Sequence, residues 1–285
     1  GRFIPLSLTP YWDPELMAAE VRRVAARGVR AVTWSENPEK LGVPSFHSDH
    51  WDPFWRACDD EAMVVCLHIG SSSAVKLPSA DAPFTTMMTL QPTAVMDTAA
   101  DLLWSRVIRE FPNIRFALSE GSIGWIPYLL ERADYVYEHH SRWTGSDFSG
   151  RLPSEVFKDH FLACFIEDAA GLRLLDLIGA DIVCVETDYP HSDSTWPHSP
   201  ERLAATFGNL SRASIDAITH RNAMLHFGFD PFGSIDPADA TVAALRAKAT
   251  HVDVGPTALR RPFTPPDRPL TLTDMLLRAE HPLLD

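Results

Sequence analysis

Residues 182–188, Ile-Val-Cys-Val-Glu-Thr-Asp, place the tightest limit on what this chain can fold into. A short strand-type apolar run ends abruptly in an acid, Asp188, and Tyr189, Pro190 and His191 follow at once. Continuous apolar runs are how strands read when they are covered on both faces, as in a parallel sheet packed under helices. A carboxylate is costly inside such a strand. Asp188 is therefore expected at the open end, the end that carries chemistry in βα-repeat proteins. Two further runs finish the same way. Residues 63–67 end in His68 before Ile69-Gly70-Ser71, and residues 114–119 end in Glu120 before Gly121. If the three strands are parallel neighbours, a histidine and two acids meet on one rim. Three independent placements of this kind point to a site.

The rest of the chain alternates in the same rhythm. Strands are expected at 3–8, 29–34 and 161–166 besides the three above. Helices are expected near 13–27, 52–61, 92–111, 125–138, 169–178, 199–208 and 211–224. Asp13-Pro14 and Asp52-Pro53 are capping acid and first-turn proline pairs, and Gly28 stops the first helix. Segments 35–50, 71–90 and 139–157 read as loops, the second of them a Ser/Pro/Met-rich insertion over the mouth. Alternating βα units make a right-handed parallel sheet. The expected fold class is α/β, of the (β/α)8 barrel type, with residues 1–229 as the barrel domain. Six strands are two short of eight, so the first two βα units are expected to lie outside this chain. The alternative is a complete open α/β sheet, but no Gly-x-Gly-x-x-Gly or P-loop motif supports a nucleotide-binding version of it. Residues 230–285 form a proline-rich extension (Pro256, Pro262, Pro265, Pro266, Pro269), expected to pack on the barrel or on a partner.

A net charge of -13 over 285 residues disfavours a nucleic-acid surface and attraction to anionic lipid. No apolar run is long enough to span a membrane, and the opening residues carry no signal-peptide pattern. The four cysteines, Cys58, Cys66, Cys164 and Cys184, contain no Cys-x-x-Cys pair, and a reducing, cytoplasmic setting is expected.

Glu186-Thr187-Asp188-Tyr189-Pro190-His191, with Trp196-Pro197 just after, resembles a hallmark of the amidohydrolase-related family. These are metal-dependent (β/α)8 enzymes that include aminocarboxymuconate-semialdehyde decarboxylase and the resorcylate decarboxylases. Trp51-Asp52-Pro53, Leu67-His68-Ile69-Gly70-Ser71, residues 119–127 and Asn222-Ala223 fall in family order, so the resemblance covers roughly residues 2–229. It implies that the strands present are barrel strands three to eight. It implies that His68 is a metal ligand and that Asp188 lies at the metal and can take part in proton transfer. Glu120 stands where the decarboxylases carry a second histidine; here it could ligate metal, hold a water or act as a base.

The family's His-x-His metal pair is absent from the chain, leaving two implied ligands, His68 and Asp188, where catalytic zinc usually has three. Either the pair lies outside this chain, the favoured reading, or the metal has been lost. Asp188, Glu120 and His191 are the candidate catalytic residues. Glu36, His47, His50 and Trp196 are weaker candidates; His139 and His140 read as the end of a helix, and Trp34, Trp51 and Trp125 as core or loop anchors.

The implied function is a metal-dependent hydrolase or non-oxidative decarboxylase acting on a small carboxylated or cyclic organic substrate. The implied cofactor is a divalent metal, zinc first and manganese second, and the implied assembly a homodimer. The alternative is a degenerate barrel that binds a ligand without catalysis. A third reading makes the chain an interaction module whose tail packs on a partner.

Overall fold

The computed structural model describes residues 3–255 and 266–280. Every strand expected from the apolar runs is present: β1 (Leu6–Leu8), β2 (Ala31–Ser35), β3 (Val64–His68), β4 (Arg115–Ser119), β5 (Phe161–Phe165) and β6 (Val183–Val185). They form one sheet in the order β1-β2-β3-β4-β5-β6, with every neighbouring pair parallel. This is a six-stranded α/β sheet of barrel type, in which β1 and β6 each have a single neighbour.

Fourteen α-helical segments are described. The first seven are α1 (Pro14–Ala25), α2 (Asp52–Asp60), α3 (Phe84–Leu90), α4 (Ala94–Trp104), α5 (Val107–Glu110), α6 (Ile126–Thr144) and α7 (Pro153–His160). The others are α8 (Ala169–Arg173), α9 (Leu175–Ile178), α10 (Ser199–Phe207), α11 (Arg212–Asp216), α12 (Asn222–His226), α13 (Val242–Lys248) and α14 (Leu272–Glu280). Asp13 caps α1 as its sequence suggests, accepting the Glu15 and Leu16 N–H groups at 3.0 and 3.1 Å. Among the described residues no helix is long and apolar enough to cross a membrane.

The two faces of the sheet differ in what covers them. Val32, Trp34, Val65, Leu67, Phe116, Leu118, Phe161, Ala163, Phe165 and Val183 point outward into the main core. There Trp34, Trp51, Trp55, Phe46 and Phe54 interlock, with Trp34 and Trp55 ring centroids 4.5 Å apart at 76°, an edge-on geometry that aromatic quadrupoles favour. The inner face is lined by a smaller apolar cluster, Ala31, Val64, Cys66, Ala117 and Leu162, with Phe227 packed against it. Its β1 end is open: Leu8, in register with Thr33, is 80% exposed.

Several expectations are corrected. The 71–90 insertion is not all loop, because it contains α3, onto which α14 packs. Pro83 and Thr271 form an antiparallel bridge there, and the Phe84 N–H donates to the Leu270 carbonyl at 2.6 Å. The expected 92–111 helix is broken at Ser105, whose backbone is extended. The helix expected to end at 138 runs to Thr144 and stops at Gly145 (φ +71°), so His139 and His140 lie inside it. Segment 139–157 is partly helical, and the 211–224 helix contains a π turn over Ala217–Arg221. Pro256, Pro262 and Pro265 lie outside the described residues.

Candidate active site

The parallel register sets the site. His68 is the last residue of β3 and is in register with Ser119 of β4, so Glu120 follows one residue above it. The His68 Nδ1–H donates to the Ile69 carbonyl at 2.6 Å. That bond turns Nε2 towards Glu120, whose Oε1 lies 2.8 Å away. A histidine whose far nitrogen is tied to a carbonyl presents the other one in fixed orientation, as metal-binding histidines do.

Asp188 lies beyond β6 and closes the group. It and Glu120 are tucked in, each with a side chain only 12% exposed. Both backbones are left-handed, with φ of +59° at Glu120 and +52° at Asp188. Such values are uncommon for residues other than glycine and concentrate at functional sites. His191 turns back so that Nδ1 is 2.7 Å from Asp188 Oδ2. The approach is off the axis of a hydrogen bond, and Oδ2 stays buried without a hydrogen-bond partner.

The electrostatics are those of an acid cluster. Burial, then the neighbouring Asp188 carboxylate, raises the Glu120 carboxyl above its ordinary range, against the pull of His68. For His68 burial works downward, but the Ile69 carbonyl and the charges of Glu120 and Glu186 raise the ring overall. Glu186, a residue the sequence reading did not single out, is pushed up to about 7, chiefly by burial. Its Oε1 accepts the Glu120 backbone N–H at 2.6 Å. Its only mark in the sequence was its place at the end of the apolar run 182–185.

The four residues expected at the site, His68, Glu120, Asp188 and His191, are thus brought together. Of the weaker candidates, Glu36, one residue past the Ser35 that is in register with His68, and Trp196 lie beside the cluster, and His47 and His50 lie away from it. His47 pairs with Asp101 at 2.6 Å, and His50 packs edge-on against Trp51. Glu36 is fully buried and held by the Ser72 hydroxyl at 2.7 Å. Trp34 and Trp51 are core, and Trp125 anchors its loop by donating to the Gly121 carbonyl at 2.8 Å. Trp196 packs on Tyr189 at 5.1 Å, both partly exposed beside the site.

A hollow of about 310 Å³, lined by Ile69, Pro92, Glu120, Ser122, Ile166, Glu167 and Asp193, opens next to the group, at the small end of ligand-site volumes. A larger one of about 810 Å³ is lined from Ala169 to Ser214 and touches none of these side chains, so the chemistry marks the smaller.

The donor set suits a hard divalent cation: an oriented imidazole nitrogen, a buried carboxylate oxygen with no hydrogen bond, and a second carboxylate in contact. Among the described residues no three such side chains are already spaced as a metal cage.

Fold and site together define a βα-repeat protein with an acid-and-histidine cluster at the C-terminal end of its strands. The sequence profile of the Amidohydrolase family matches residues 1–229, and the chain belongs to that family. A search of the curated proteins finds no match. Among solved structures, 5-carboxyvanillate decarboxylase LigW from Sphingomonas paucimobilis superposes with a TM-score of 0.65 at 17% identity, over 80% of this chain and 68% of that one. A 2,6-dihydroxybenzoate decarboxylase from Rhizobium gives 0.60 at 19% identity, over 80% and 71%. A dihydroxybenzoic acid decarboxylase from Polaromonas with bound manganese and 2-nitroresorcinol gives 0.61 at 20%, over 82% and 71%. These likenesses establish the shared fold.

Proposed function

We propose that this chain carries the metal-binding rim of a metal-dependent hydrolase or carboxy-lyase acting on a small carboxylated or cyclic organic substrate. The observation that carries the reading is the buried, unbonded Oδ2 of Asp188 beside the oriented His68–Glu120 pair. An acid cluster this close, with histidines as its adjacent bases, is short of positive charge, and a divalent cation supplies it. His68 and Asp188 would hold the metal, with Glu120 in reach. When bound, the metal supplies Lewis acidity towards a substrate oxygen or water.

The protein's own groups do the proton work. Asp188 accepts a proton from water in the hydrolytic direction. Glu120, whose carboxyl is raised above its ordinary range, is placed to give one to a substrate carbon in the decarboxylating direction. His191, its Nδ1 2.7 Å from Asp188 Oδ2 but out of line for a hydrogen bond, would exchange a proton with Asp188 on turning its ring. The names of the superposing structures favour carboxylated phenols as the first substrates to try, and the manganese in one favours manganese beside zinc.

The same reading carries a homodimer, which light scattering checks, and a cytoplasmic setting, in keeping with four free cysteines. The end of the family match at residue 229 supports a barrel domain over 1–229 and an extension over 230–285.

Metal analysis by plasma mass spectrometry tests the proposal on the protein, on His68→Ala and on Asp188→Ala. About one manganese or zinc per chain, lost in both variants, supports it and justifies following carbon dioxide release from hydroxylated benzoates. No metal after reconstitution overturns it and leaves a ligand-binding barrel without catalysis.

A further inference from the structure

Glu186 is not one of the implied ligands, yet its carboxylate is placed at the site with no lysine or arginine paired to it among the described residues. The groups that act on it most are the Glu120 N–H and the charges of Glu120, His68 and Asp188. Its charge also reaches thiols: burial and the Glu186 charge together push Cys66 and Cys184 up to about 12 and raise Cys164 well above its ordinary value. A carboxylate in such surroundings is costly, so what it does there needs a cause.

Its one short bond supplies it. The Glu186 N–H closes the ladder onto the Phe165 carbonyl at 2.9 Å, fixing residue 186 at the top of β6. From there the side chain passes over the end of β5 and takes the Glu120 N–H at 2.6 Å. Glu120 has left the β4 ladder by turning left-handed, a conformation unfavourable for a residue with a Cβ, and its N–H needs an acceptor in its new direction. The same turn aims its side chain at His68 and Asp188. One side chain on β6 thereby fixes the conformation of an acid on β4, two strands away.

We infer that Glu186 is a positioning residue: its Oε1 locks Glu120 in the left-handed turn and so sets the distance of the Glu120 carboxylate from His68 and Asp188. The inference rests on the metal-site reading only for its consequence in metal affinity; the lock itself is independent of it. Its requirement is for an acceptor oxygen at that point, which Glu186→Gln keeps and Glu186→Leu removes.

The test compares the protein with both variants by hydrogen exchange at the Glu120 amide and by titration with manganese(II). Protection at Glu120 is expected to fall at least about tenfold in Glu186→Leu and to stay within about threefold in Glu186→Gln. Manganese affinity is expected to follow the same split, dropping about 10- to 100-fold in the leucine variant alone. Unchanged protection in the leucine variant overturns the lock, and so does equal loss in both variants, which would assign the effect to charge. If the unaltered protein binds no manganese, the metal-site reading fails while the exchange measurement still decides the positioning role. Should Glu186→Leu fail to fold, the glutamine variant keeps the inference falsifiable, since loss of its Glu120 protection would refute it.

Discussion

Replacing Asp188 by Asn should stabilise the metal-free protein while removing its response to metal. The Asp188 and Glu120 carboxylates are in contact, both side chains are 12% exposed, and the groups beside them are His68 and His191. Two like charges about 4 Å apart at an effective dielectric near 20 repel by about 4 kcal/mol. The two histidines beside the pair offset part of this, leaving about 1–2 kcal/mol. Asparagine is the replacement that exposes this term cleanly. It has the same shape, tolerates the +52° φ at this position, and offers an amide donor to the neighbouring carboxylate. The metal-free variant should therefore melt about 3–6 °C above the unaltered protein at pH 7.5.

With manganese at about a hundred times its dissociation constant, the unaltered protein should gain about 2.7 kcal/mol and the variant nothing measurable, so the order of stability reverses. Scanning calorimetry with and without metal reads both arms. A variant that melts lower without metal, or is shifted as far as the parent by metal, would refute the reasoning.

His68→Ala should likewise abolish the manganese shift but change metal-free stability by less than about 1 kcal/mol, because its ring is 51% exposed; calorimetry again decides. Gly121→Ala should cost about 1–3 kcal/mol, since a Cβ there overlaps Val95 Cγ2 in a buried contact; urea midpoints measure it. His160 is buried, and burial lowers its ring below the ordinary 6.5. The unfolded chain then binds more protons at that position, so its share of stability is present above pH 6.5 and is lost on acidification through that value. Glu186, raised from 4.5 to about 7, works the opposite way between those values. The difference in denaturant midpoint between the protein and His160→Gln, at pH 7.5 and 5.5, therefore isolates the histidine. Its effect should shrink as the pH falls.

What could be read from the sequence, and what could not, divides along physical lines. Strands buried on both faces leave an unbroken apolar signature, which made β2 to β6 legible; β1, whose Leu6 and Leu8 are exposed, was legible from its apolar run alone. Helix ends were less so. Residues 139–144 are His-His-Ser-Arg-Trp-Thr, a polar stretch that reads as loop; yet α6 continues through them because its buried face, Ile126, Leu129, Leu130 and Ala133, has already anchored it, and packing outweighs propensity. The break at Ser105 depends on its hydroxyl, which donates to the Leu102 carbonyl at 2.7 Å and accepts the Val107 N–H at 3.2 Å, a local competition that composition does not announce.

Glu186 was hidden for a different reason. Its neighbours in the chain explain only that it ends a strand. The partner that explains its carboxylate is the backbone N–H of Glu120, 66 residues away, and that N–H is free to be caught only because Glu120 turns left-handed. A side chain can be recognised as a candidate ligand from its own type and position. A side chain that works by holding another residue's backbone can be recognised only once the register of β4, β5 and β6 is known. The outer members of such a site are therefore the part that sequence reading misses, even where the inner members stand at the ends of apolar runs.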